Sequence, residues 1–140
     1  MKLYTSYWAR VKKFPTNLVG LNTTVWPPKY RPLGLDDRGV LVLNCKPVVP
    51  GMDCNYLCRG DCDPPHPYDC NFLKTYRKQL EKINFPEFYS YLKDLSKKYN
   101  DADFAFIVFE PPTKPCSERR IIQQWIQNNG FSIEEWQPNT

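Results

Sequence analysis

Histidine is nearly absent from this chain: His66 is the one such residue among 140. It lies between Pro65 and Pro67 in a loop, too weakly placed to serve as a general base. A cysteine nucleophile elsewhere in the chain therefore has no imidazole beside it in sequence. Acidic residues are missing from the first 35 positions, while Lys2, Arg10, Lys12, Lys13, Lys29 and Arg31 fall there. Long apolar runs are missing too. The run from Phe104 to Phe109 is far too short to span a bilayer, so no membrane partner is expected. The amino terminus has a lysine but no apolar stretch of the kind a secretory signal needs, and a cytoplasmic protein is expected. No internal repeat is visible.

What is present points to an ordered single domain. Hydrophobic content of 41% and aromatic content of 15% exclude disorder. A chain of 140 residues buries roughly two-thirds of its unfolded surface. The basic first third also carries Tyr4, Tyr7, Trp8, Phe14, Trp26 and Tyr30. Cationic and flat side chains together suit phosphate backbones and stacked bases, with Lys12, Lys13, Lys29 and Arg31 as candidate nucleic-acid contacts. The plainer alternative is a solvated basic edge whose aromatics enter the core.

Hydrophobic periodicity sets out the elements. Leu3 to Trp8 and Leu18 to Val25 read as strands, with Lys12 to Asn17 as a loop between them. The prolines at 27, 28 and 32 stop any central strand. Leu33 to Gly39 reads as a polar connection, and Val40 to Leu43 as a short extended piece. Phe72, Leu73, Tyr76, Leu80 and Ile83 recur at helical spacing, and Phe88, Leu92 and Leu95 mark a second helix with Pro86 in its first turn. Phe104 to Phe109, ending at Glu110, is a strand buried on both faces. A last helix is expected from about Cys116 to Asn129, capped by Gly130, and Phe131 to Trp136 reads as a closing edge strand. Trp125 and Trp136 are expected to pack this helix and strand. Strands separated by helices imply a three-layer α/β domain: a mainly parallel sheet with helices on both faces and a cysteine-rich loop insertion.

That insertion covers residues 44–70, which hold five of the six cysteines, five prolines and the histidine. A structureless loop of this length would need cross-linking. Cys54, Cys58, Cys62 and Cys70, with His66 or Cys45 as substitutes, offer the sulfur and nitrogen donors of a structural zinc site. They are not a pair of strict C-x-x-C units. Disulfides, disfavoured in a reducing compartment, and free thiols are the competing readings.

Right-handed crossovers would align the carboxyl ends of the first, second and strongest strands, bringing Ser6, Tyr7, Asn22, Thr23, Thr24 and Glu110 toward Cys116. Glu110 is followed by Pro111-Pro112-Thr113-Lys114-Pro115, then by Cys116-Ser117-Glu118-Arg119-Arg120. With the opening Tyr4-Thr5-Ser6-Tyr7 strand, Leu18 to Thr24, and Trp26-Pro27-Pro28-Lys29-Tyr30, this pattern resembles the domain-of-unknown-function 488 family of small α/β proteins. The resemblance covers roughly residues 1–32 and 70–136. It implies the fold and the position of a site, not a reaction, because the family has no established common activity. Many relatives carry an acid and an arginine near the end of the second strand, where this chain has Asn22 and Thr24. Many place histidine and arginine directly after the cysteine, where this chain has Ser117 and Glu118 before Arg119. The cysteine-rich insertion is not part of the usual pattern.

Three functions stay open. Helix-start amides with Lys114, Arg119 or Arg120 would bind a phosphate, with Ser6, Tyr7, Asn22 and Thr24 around it, so that a nucleotide or nucleic acid is bound or processed. Alternatively Cys116, made acidic by the helix start, attacks as a thiolate while Glu110 manages protons, giving a small hydrolase or transferase. The spacing from Cys116 to arginine is too short for the phosphatase phosphate loop. In the third reading the zinc-stabilised loop is a protein-interaction surface without catalysis.

Overall fold

The computed structural model describes residues 1–54, 70–113 and 117–138. A mixed, mostly parallel sheet of six strands organises them. The strands are β1 (Leu3–Tyr7), β2 (Leu18–Asn22), β3 (Gly34–Leu35), β4 (Leu41–Asn44), β5 (Asp103–Val108) and β6 (Glu134–Glu135). Their order is β3-β4-β2-β5-β1-β6, and only β3 runs antiparallel, beside β4. β5 sits between β1, with Leu3 opposite Phe104 and Tyr7 opposite Val108, and β2, with Leu18 opposite Asp103 and Asn22 opposite Ile107. From Phe104 onward each of its residues is buried, as the apolar run requires.

Alternation along β5 divides the interior into two cores. Phe104, Phe106 and Val108 join the larger one, and Ala105 and Ile107 join the smaller. The larger core is covered by α1 (Asn71–Glu81), α2 (Phe85–Lys98) and α3 (Arg119–Asn128). Phe85 and Phe88 meet Trp125 at 5.2 and 5.3 Å between ring centroids, so Trp125 packs as expected. The smaller core lies under a 3-10 helix, Trp8–Lys13, with Val40 and Trp136. This three-layer α/β arrangement follows from crossover direction. The β1–β2 connection crosses the sheet one way, while β4–β5 and β5–β6 cross it the other way. A single handedness then puts the first on the opposite face from the other two.

Element ends differ from the sequence expectation for local reasons. Trp8, Val11 and Phe14 are buried at a spacing of three, the 3-10 period, so β1 stops at Tyr7 and the expected loop at Lys12 starts as helix. β2 stops at Asn22 because its side-chain Oδ1 accepts the Thr24 N–H at 2.9 Å and turns the chain. The connection after Leu33 contains β3. α3 begins at Arg119, where Ser117 Oγ accepts the Arg119 N–H at 3.2 Å. The closing strand shortens to Glu134–Glu135 but does lie at the sheet edge. Asn100 and Asp101 take left-handed backbone conformations between α2 and β5, as these two residue types tolerate.

Residues 44–54 are held without any cross-link. The Tyr76 hydroxyl donates to Val48 O, and Gln79 Nε2 donates to Pro47 O and Val49 O at 3.1 and 2.7 Å. Gln79 Oε1 accepts the Gly51 N–H at 2.8 Å and the Cys54 thiol at 3.7 Å. The rest of the expected insertion, residues 55–69, lies outside the described residues.

Gly20 fixes the spacing of the inner strands. A Cβ there would stand 2.5 Å from Ile107 Cδ1 and 3.0 Å from Val42 Cγ2. Gly20→Ala should therefore destabilise by about 1–3 kcal/mol through overpacking. Thermal unfolding checks this, and an unchanged or raised Tm would show that the β2–β4 contact relaxes freely.

Candidate functional site

β1 hands the chain to the 3-10 face and β5 hands it to the α-helical face. These two strands are neighbours, so the crevice at their carboxyl ends is a topological switch point, the place where open α/β sheets hold ligands. Leu3, Thr5 and Tyr7 face the helices; Tyr4 and Ser6 face the other side.

On the helical side Arg119 ties the crevice together. Its Nε meets Glu135 Oε1 at 2.7 Å, and its Nη2 donates to the Glu110 backbone oxygen at 2.6 Å. The same Glu135 oxygen accepts from Thr5 Oγ1 at 2.8 Å, and Thr5 Oγ1 accepts from Gln123 Nε2 at 2.8 Å. Two guanidinium groups flank the Tyr7 ring, Arg10 at 5.3 Å and Arg119 at 5.8 Å from its centroid. Arg10 is anchored by Trp136 O and Gln137 Oε1 at 3.0 and 2.8 Å. Four buried side-chain atoms at this edge have no hydrogen-bond partner: Ser6 Oγ, Glu110 Oε2, Glu135 Oε2 and Arg119 Nη1.

Glu118, buried at the start of α3, has an unusual carboxyl. Burial first, then the charge of Glu110, pushes its pKa up from 4.5 to about 8, against the opposing pull of its own backbone amide and Arg119. At neutral pH it is mostly a neutral acid, able to donate a proton.

The structure separates residues that the sequence grouped. Asn22 and Thr24 are buried and serve each other. Trp8 Nε1 donates to Thr24 Oγ1 at 3.2 Å, and Thr24 Oγ1 to Asn22 Oδ1. Asn22 Nδ2 donates to Thr24 O and Asn44 Oδ1, both at 2.9 Å. They brace the turn after β2. Thr23 Oγ1 donates to Ile107 O at 2.7 Å, across the neighbouring strand. Ser6 is fully buried, Tyr7 half-buried and Arg120 exposed. Lys114 and Cys116 lie outside the described residues.

The four candidate nucleic-acid contacts do not form one patch. Arg31 is spent on its own loop, donating to Pro32 O, to Gly34 O at 3.3 Å and to Val40 O at 2.9 Å, with Asp36 3.6 Å from its Nε. Lys12 and Lys13 are exposed toward the amino edge, where Arg38, in the β3–β4 turn, donates to Val11 O at 3.0 Å. Lys29 is exposed in the segment that leaves β2 at the carboxyl edge. Of the six aromatics among these cations, Trp8 and Phe14 enter the smaller core and Tyr4 and Tyr7 are half-buried. Trp26 and Tyr30 stand out, at 79% and 72% exposed.

Among the described cysteines, Cys45 and Cys54 belong to the larger core and Cys70 caps the start of α1 without a side-chain bond. Burial pushes the Cys45 thiol up to about 12 and raises that of Cys54, so their thiolates are disfavoured. Cys58, Cys62 and His66 lie outside the described residues, and among those described no three potential ligands gather. No described helix is long and apolar enough to cross a membrane.

Glu118, Glu135, Thr5, Gln123 and Arg10 were not legible as site residues. The one signal was an acid pair, Glu134-Glu135, inside a segment that reads as a strand. No family model, curated protein or solved structure matches the chain. What the protein does must therefore follow from the site itself.

A carboxyl with a raised pKa binds more protons folded than unfolded between 4.5 and about 8, so stability falls as pH rises through that window. Glu118→Gln should remove this loss. Its stability relative to the native chain should improve from about pH 5 to pH 8 and level off above. Urea titrations at several pH values check this; a pH-independent difference would place the Glu118 pKa at its ordinary value.

Proposed function

We propose that the protein binds a nucleotide or a single-stranded nucleic acid at the carboxyl edge of its sheet. The observation that carries this is the pair Trp26 and Tyr30, both largely exposed, on either side of Lys29 in the segment leaving β2. Large aromatic side chains held in water leave apolar area unburied, and base stacking recovers about 1–3 kcal/mol per base. Lys29 adds a cation for the phosphate. The segment is fixed at both roots, by the Trp8–Thr24–Asn22–Asn44 bonds and by the Arg31 clamp. Its aromatics are therefore presented with little ordering left to do on binding. In this reading Asn22, Thr24 and Arg31 support the platform and do not touch the ligand.

Tryptophan fluorescence with a single-stranded oligonucleotide at low ionic strength is the direct test. Trp26→Ala and Tyr30→Ala should each weaken binding by about 5- to 100-fold, and affinity should fall with salt. Absence of binding at low salt would end the proposal.

Structural zinc stands as a separate proposal. Cys58, Cys62 and Cys70 would supply three ligands, with His66 in place of Cys54, whose thiol is engaged with Gln79. The spacing of soft donors supports it. Metal analysis of freshly purified protein should find zinc bound, and a metal-free chain of undiminished stability would defeat it.

A further inference from the structure

We infer that the crevice between β1, β5 and β6 receives the ribose hydroxyls of a bound ribonucleotide, not its phosphate. This rests on the proposed nucleotide reading and assigns a part of the ligand to a part of the edge.

The argument starts from unused hydrogen-bonding capacity. Arg119 has a side chain only 8% exposed, holds Glu135 with Nε and the Glu110 backbone with Nη2, and leaves Nη1 without a partner. On the same guanidinium, Glu135 keeps Oε2 unpaired after its Oε1 has bonded Arg119 and Thr5. Glu110, joined to Arg119 through its carbonyl, keeps Oε2 unpaired as well. Buried polar atoms in folded proteins almost always find partners, so this trio calls for some occupant.

Its valence identifies the kind of group. Two carboxylate oxygens accept and one guanidinium nitrogen donates. A phosphate presents acceptors only, which would satisfy Arg119 Nη1 and oppose both carboxylates. Charge gives the same answer. Glu110 and Glu135 against Arg119 leave the crevice about one unit negative, which repels an anion. A vicinal diol offers two O–H donors and lone pairs for one donor in return, and carboxylate on ribose hydroxyl is an established pairing in nucleotide sites. The Tyr7 ring, flanked by two guanidiniums, gives the crevice a half-buried wall. The phosphate then belongs outward, toward Lys29 and solvent.

The test compares each of the four ribonucleoside 5′-monophosphates with its 2′-deoxy counterpart by calorimetry on the native chain, alongside the single-stranded oligonucleotide. A ribose preference of about tenfold is expected, since one lost hydrogen bond to a charged group is worth about that factor. Glu110→Gln, at a half-buried position, should shrink the preference, because the amide offers the diol a weaker acceptor and a competing donor. Trp26→Ala should lower affinity for both sugars alike. Equal affinity for ribo and deoxy forms would overturn the inference and leave the binding function standing. Oligonucleotide binding without any mononucleotide binding would also overturn it. Failure of oligonucleotide and mononucleotides alike would remove the binding function itself.

Discussion

Everything else in this molecule depends on β5 being dry on both faces. A strand whose side chains alternate between two cores has to be paired on both edges, and here β1 and β2 run parallel to it in register. Parallel pairing brings their carboxyl ends to one edge of the sheet. The divergence of the two outgoing connections opens a crevice at that edge, between β1 and β5. Gly20 belongs to the same constraint, since the branched side chains of Val42 and Ile107 occupy the space on either side of it.

The carboxyl edge then divides into two chemical regions. Beside β2 an aromatic and cationic segment faces water on a braced root. Beside β1 and β6 a buried guanidinium gathers carboxylates, with a neutral acid next to it in sequence. The first suits a flat, anionic partner and the second a neutral, donor-rich one. A nucleotide has both kinds of group within one molecule, so two regions that look incompatible suit a single ligand. The acid at Glu118 shows how strongly this corner avoids a further negative charge.

Much of the fold was legible because its signals are local. Phe72, Leu73, Tyr76 and Leu80 repeat at the helical period, Phe104 to Phe109 is too apolar for any place but a central strand, and Gly130 adopts the positive φ of a helix end. The misjudged pieces were those where a side chain redirects the backbone. Asn22 ends β2 by bonding Thr24, and Trp8 turns into the smaller core to start a 3-10 helix. Residues 44–54 looked in need of a cross-link, yet Tyr76 and Gln79 hold them. Gln79 lies on the flank of α1 that its periodicity marks as polar, and periodicity alone cannot show that a polar flank meets another segment.

By itself the sequence determined the element types, the α/β class and the edge of the sheet where a site belongs, since periodicity and strand–helix alternation operate over a few residues. Only the tertiary structure decided which polar groups meet. Glu135 reaches Thr5 across 130 positions, and Arg31 is taken from any ligand by its own loop. The physical reason is strand order. Which strands become neighbours is set by packing over the whole sheet, and a charged side chain acquires its role only once its neighbours are known.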